Sequence, residues 1–99
     1  MEATQTIIDE IRKLYREKIG RRKGVIMRSY EGMEVGIRTY NFDVLSKDGL
    51  YFGYWTDQKP KYSDRTIISR IVDSEDCQEW DALDDDQLRE CREFLRHYT

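Results

Sequence analysis

One histidine, one proline and two cysteines stand among 99 residues, and no apolar run approaches the roughly 18 residues that a membrane span needs. Each shortage excludes something. Two cysteines, Cys77 and Cys91, do not make a disulfide scaffold, so a reducing compartment, the cytoplasm, is expected. Cysteine and histidine together number three, one short of the ligand set of a structural zinc. The opening stretch MEATQTIIDEIRK lacks the apolar segment of a signal peptide. No linker or repeat divides the chain, so residues 1–99 are expected to form a single α+β domain. Leu, Ile, Val and Phe together make 22 residues, just above the level of about 20% below which disorder becomes the default. The net charge of −3 is small enough to allow a packed core.

What is present in abundance is charge, 37% of the chain, and it is unevenly placed. From Arg12 to Arg28 eight bases face one acid, Glu17. From Asp73 to Asp86 eight acids occur with no base. Blocks of this kind set potentials and partner choice rather than fold.

The periodicity predicts a first helix from Thr6 to Ile19, with Ile7, Ile8, Ile11, Leu14, Tyr15 and Ile19 on one face. Thr6 is the expected cap, Asp9 and Glu10 the first-turn acids, and Gly20 the left-handed stop. An antiparallel meander follows: Gly24–Tyr30, a turn at Glu31-Gly32, Val35–Leu45, a hairpin loop Ser46–Gly49, and Leu50–Thr56. Thr66–Val72 reads as a fourth strand from its β-branched residues, although its apolar spacing also suits a short helix. Asp84 caps a last helix whose apolar face is Leu88, Cys91, Phe94, Leu95 and Tyr98. The expected architecture is α+β, with an N-terminal helix, a meander of three to four strands and a C-terminal helix, the helices packed on one sheet face.

Pairing Leu45 with Leu50 places Tyr40, Phe42, Val44, Tyr51 and Trp55 on the face expected to be core. Arg38 then falls opposite Asp57. Val35, Ile37, Phe52 and Tyr54 project from the other face as an apolar patch of the kind that marks partner surfaces. Those four, with Asp76, Glu79 and Asp81 as an acidic rim, are the candidate partner-binding residues, through self-association or a protein partner.

Catalytic chemistry finds little support, and no catalytic residue is assigned. Cys91 and His97 are six apart, whereas side chains that meet on a helix are three or four apart. The acids of 75–86 lack the calcium-loop pattern, and no metal site, cofactor or small-molecule ligand is evident. Asp43 with Asp57-Gln58-Lys59 spells a metal-nuclease pattern. In the expected register Asp43 faces Phe52, five residues short of Asp57 and on the order of 16 Å away, too far for one ion.

Lys18, Arg21, Arg22 and Lys23, set around Gly20 and Gly24, are candidate nucleic-acid-binding residues. The order helix, three strands, helix resembles double-stranded-RNA-binding domains. That resemblance implies a basic start to the final helix, where this chain has Asp84-Asp85-Asp86, so no RNA-binding residue is carried over. In size and layout the chain is similar to some small phage-encoded inhibitors of host defence systems, which implies an inhibitor or adaptor. The expected function is a small intracellular non-enzymatic protein that binds a macromolecule, foremost a protein. A nucleic-acid module on segment 12–28 ranks second and a cryptic metal-dependent enzyme third.

Overall fold

A computed structural model describes residues 2–99. The elements run α1 (Thr4–Lys18), β1 (Gly24–Glu34), β2 (Ile37–Ser46), β3 (Leu50–Thr56), α2 (Asp64–Val72), β4 (Gln78–Glu79), a 3₁₀ turn (Trp80–Ala82) and α3 (Asp85–Arg96). The strands form one antiparallel sheet in the order β1-β2-β3-β4. The α+β architecture is as expected, with both terminal helices on one face of the sheet. Among the described residues no helix is long and apolar enough to cross a membrane.

The first helix starts two residues before the expected cap. Ala3 occupies the cap position, its carbonyl accepting from Thr6 N and Ile7 N, so Thr6 lies inside the helix and Asp9 and Glu10 fall beyond the first turn. At the far end Arg16 and Lys18 occupy the last turn, and Gly20 takes φ +75° as the expected stop. The last helix is capped as its sequence indicates. Asp84 accepts from Gln87 N at 2.8 Å, and Gln87 Oε1 accepts from Asp84 N at 3.1 Å.

The first hairpin is longer than expected and turns elsewhere. Glu31 and Gly32 lie within β1, opposite Tyr40 and Thr39, and the turn is Val35-Gly36. Both turn residues have positive φ, +49° and +77°, the two-residue geometry whose twist suits a hairpin. A bulge at Met27 shifts the register between Ile26 and Arg28. Across the Val35-Gly36 turn Arg38 is paired with Met33 and lies 3.9 Å from Glu31, and it has no pairing with Asp57.

The second hairpin slips by one residue from the expected register. Ser46 remains in β2, where its Oγ accepts from Leu50 N at 3.0 Å, and the loop contains Lys47, Asp48 and Gly49 alone. Val44 therefore opposes Phe52, Phe42 opposes Tyr54 and Asn41 opposes Trp55. A one-residue slip exchanges the faces of every side chain in β3 relative to β2. The expected core face is thereby split: Tyr40, Phe42 and Val44 share one face with Phe52, while Tyr51 and Trp55 share the other with Leu45.

Both faces are covered near the Ser46 end of the sheet. α1 and α3 pack over Val25, Leu45, Met27 and Tyr51, with Trp80 and Leu83 completing that core. On the opposite face α2 packs over Phe42, Val44 and Phe52 through Ile71, with Ile67 and Ile68 beside it. Residues 66–72 thus form a helix, not the fourth strand that their β-branched content suggests. Ser63 caps it by accepting from Thr66 N, and Ile67, Ile68, Ile71 and Val72 lie on one helical stripe. Gly24 lets this helix approach β1. A Cβ there would stand 2.9 Å from Leu45 O and 3.0 Å from Ile68 Cγ2.

α1 and α3 run in the same direction. Thr4 Oγ1 donates to Asp85 Oδ1 at one end, and Lys18 Nζ donates to Arg96 O at the other. Their positive ends coincide beside Asp85 and Asp86, and their negative ends beside Lys18 and Arg96, each charge complementing both dipoles.

Candidate interaction surfaces

The expected partner-binding residues separate into three places. Val35 sits at the hairpin tip, 96% exposed, with Ile37 beside it at 55%. Phe52 is 1% exposed beneath α2, so it cannot serve as a surface anchor; its register partner Val44 points into the same core. Tyr54 lies on that face too, lining a small cleft of about 210 Å³ with Phe42, Lys59, Tyr62 and Arg70, whose guanidinium stacks 4.0 Å from the Tyr62 ring centroid. Asp76, Glu79 and Asp81 are exposed around β4 and the 3₁₀ turn, where Glu79 opposes Leu50. Ile37 and Ser46 are nine residues apart along β2, about 30 Å at strand rise, so the acids do not rim the hairpin tip.

An aromatic row that the sequence reading missed lies on the other face. Tyr30, Asn41 and Trp55 are directly opposed across three strands. Tyr30 is 51% exposed and Trp55 61%, because α1 and α3 cover this face only nearer the Ser46 end. The Asn41 amide lies between them, donating to Tyr30 O at 3.4 Å and Thr39 Oγ1 at 3.1 Å. Ile37 continues the same face toward the tip, opposite Glu34. The missing signal was the loop length: with Ser46 counted as strand, Trp55 changes sides.

The expected nucleic-acid residues are largely occupied within the molecule. Lys18 Nζ is held by the carbonyls of Arg96 and Tyr98, and Lys23 pairs with Asp73 at 2.6 Å. Arg22 donates from Nε to Ile19 O and lies over the Tyr98 ring. Arg21 lines a cavity of about 500 Å³ with Arg12, Arg16, Lys47 and Asp48.

Burial pushes the Cys91 thiol up to about 12, leaving it protonated and unreactive at neutral pH. His97 is exposed and bonded to Glu93. Tyr15, also raised to about 12 by burial, donates from its hydroxyl to Arg22 O. Asp43 pairs with Arg28 at 3.6 Å and opposes Gly53 instead of Phe52; Asp57 is still four residues beyond, about 13 Å away. Among the described residues no three His, Cys, Asp or Glu side chains are grouped to hold a metal ion. No family model, curated protein or solved structure matches the chain.

Proposed function

We propose that this chain works by binding another protein, as an adaptor or inhibitor without catalysis of its own, and that the contact is the outer end of the first hairpin. The observation that carries this reading is the exposed row Tyr30–Asn41–Trp55 with Ile37 beyond it. Trp and Tyr are the side chains that most often dominate protein interfaces, being large and stiff with a polar tip. Here they stand on a sheet, which holds them in place before any partner arrives. Glu34 lies on the same face opposite Ile37, and Arg28 with its partner Asp43 lies on the inner side of the row, so a partner with an apolar depression and a mixed polar border is the complementary shape.

Val35 adds a second support. A β-branched residue held at φ +49° is a conformational outlier, and such strain persists where a fold over-determines it, often at functional positions. Its side chain meets solvent and offers the partner an apolar tip.

The experiment is a Tyr30→Glu, Trp55→Glu double variant, compared with wild type by sedimentation and by capture from nuclease-treated native lysate. Both side chains are exposed, so the variant is expected to fold. Loss of a specific captured protein, or of self-association, is the expected result. Unchanged capture and mass would remove this face from consideration. Capture abolished by nuclease in the wild type would shift the reading to nucleic acid.

A further inference from the structure

The cavity beside α1 gathers four cations against a single acid. Arg12 and Arg16 are one helical turn apart on α1, Arg21 follows the left-handed Gly20, and Lys47 comes from the hairpin loop. Tyr15, Gly20 and Trp80 complete the lining, and Asp48 is the single acid in it. Among the described residues none of these four cations has a carboxylate within 4.0 Å. Lys23, Arg28, Arg38, Arg89, Arg92 and Arg96 have carboxylate partners, whereas Lys13, Lys59, Lys61, Arg65 and Arg70 stand as open as the cavity's four; what sets the four apart is that they line one hollow. In a chain with more acids than bases, four cations against one acid in one concavity is a local excess of positive charge.

The site is also held in shape. The Arg12 guanidinium stacks 5.6 Å from the centroid of the buried Trp80 ring. Trp80 N donates to Gly49 O at 2.9 Å, tying the 3₁₀ turn to the hairpin loop. Gly49, at φ +83°, leaves room for the guanidinium, since a Cβ would stand 3.3 Å from Arg12 Nη2. The last turn of α1 would ordinarily repel an anion. Here Tyr15 O accepts from Ile19 N and Gly20 N and Ile19 O accepts from Arg22 Nε, and the Arg16 and Arg21 guanidinium groups beside that end offset its negative charge.

We infer that this cavity binds a compact, multiply charged phosphate-bearing ligand. Guanidinium forks match phosphate oxygens two at a time, and Lys47 adds a mobile point charge across the opening. A volume of about 500 Å³ is that of a small-molecule site. The cations converge on a hollow and do not form a stripe, which suits an oligophosphate or nucleotide better than the spaced phosphates of a duplex. This inference is independent of the hairpin surface.

The test uses inorganic tripolyphosphate as the probe at physiological salt, followed by calorimetry and by Trp80 fluorescence in a Trp55→Phe background. One equivalent is expected to bind, with a change in Trp80 emission. Arg16→Gln with Lys47→Gln, neither of which stacks on Trp80, is expected to weaken binding at least about tenfold. Arg12→Gln is expected to weaken it as well. The control pair Lys59→Gln, Lys61→Gln, on the loop before α2, is expected to leave it unchanged. Unsaturable binding, or equal loss in the control pair, would overturn the inference. So would a short DNA duplex that binds through the same residues more tightly than tripolyphosphate.

Discussion

Phe52 and Trp55 are three residues apart on β3 and have opposite fates. Phe52 opposes Val44 and is sealed under Ile71, whereas Trp55 opposes Asn41 and faces solvent. Truncation should follow that geometry. Phe52→Ala is expected to cost about 3–5 kcal/mol, because α2 and the sheet cannot collapse into the space a benzyl group leaves. Trp55→Ala is expected to cost less than about 1 kcal/mol, since water already reaches most of the ring. Urea midpoints of the two variants check this; equal losses would mean that Trp55 is packed against protein. At this scale the sequence was legible where one residue carries one job: Asp84 as a cap, Gly20 as a stop, Cys91 as a buried thiol. Parity on a strand is different, because it depends on where a neighbouring loop begins, and the Ser46 hydroxyl bond to Leu50 N decides that.

At the scale of elements, α1, β3 and α3 could be read closely because their periods are unambiguous over ten or so residues. Segment 66–72 could not, since isoleucines at 67, 68 and 71 suit both a strand and a helical stripe, and its helix rests on burial against the sheet that no local pattern shows. The acidic stretch concealed a structural piece as well: Trp80 and Leu83, three apart among carboxylates, are core residues. The first turn was misplaced because Glu31-Gly32 and Val35-Gly36 carry the same glycine signal, and the strand-to-strand register selects the second. That turn supplies its own prediction. Asn tolerates left-handed φ far better than Val, so Val35→Asn is expected to raise stability by about 1 kcal/mol in thermal or urea melts. A lowered midpoint would show that the valine is packed where it stands, contrary to its exposure.

At the scale of the molecule, the segment before α1 is fastened to α3. Arg92, largely buried, holds both oxygens of Glu2 at 2.5 and 2.8 Å, and Glu10 joins Arg92 to Arg96. The Arg92 guanidinium keeps the Glu2 carboxyl below the ordinary glutamate range. A carboxyl whose folded pKa lies below its unfolded value contributes its full stabilisation above the unfolded value, and loses it as pH falls through the folded one. Glu2→Gln is therefore expected to lower the urea midpoint at neutral pH, and the gap from wild type should close on acidification. A gap independent of pH would mean that the pair contributes nothing through its charge. None of this network was legible in the sequence, because its members lie at the two ends of the chain.

The pairing of α1 with α3 also sets an order of events during synthesis. Bonds between them span 78 to 86 residues, so the contacts that close the larger core join segments far apart in the sequence. While α3 is still inside the ribosome, Ile7, Ile8 and Ile11 lack the cover of Leu88, Cys91 and Leu95, and only α2 is complete as a shield for the sheet. The nascent protein must therefore carry an incompletely covered isoleucine stripe until α3 emerges, with the slow closure that distant contacts impose.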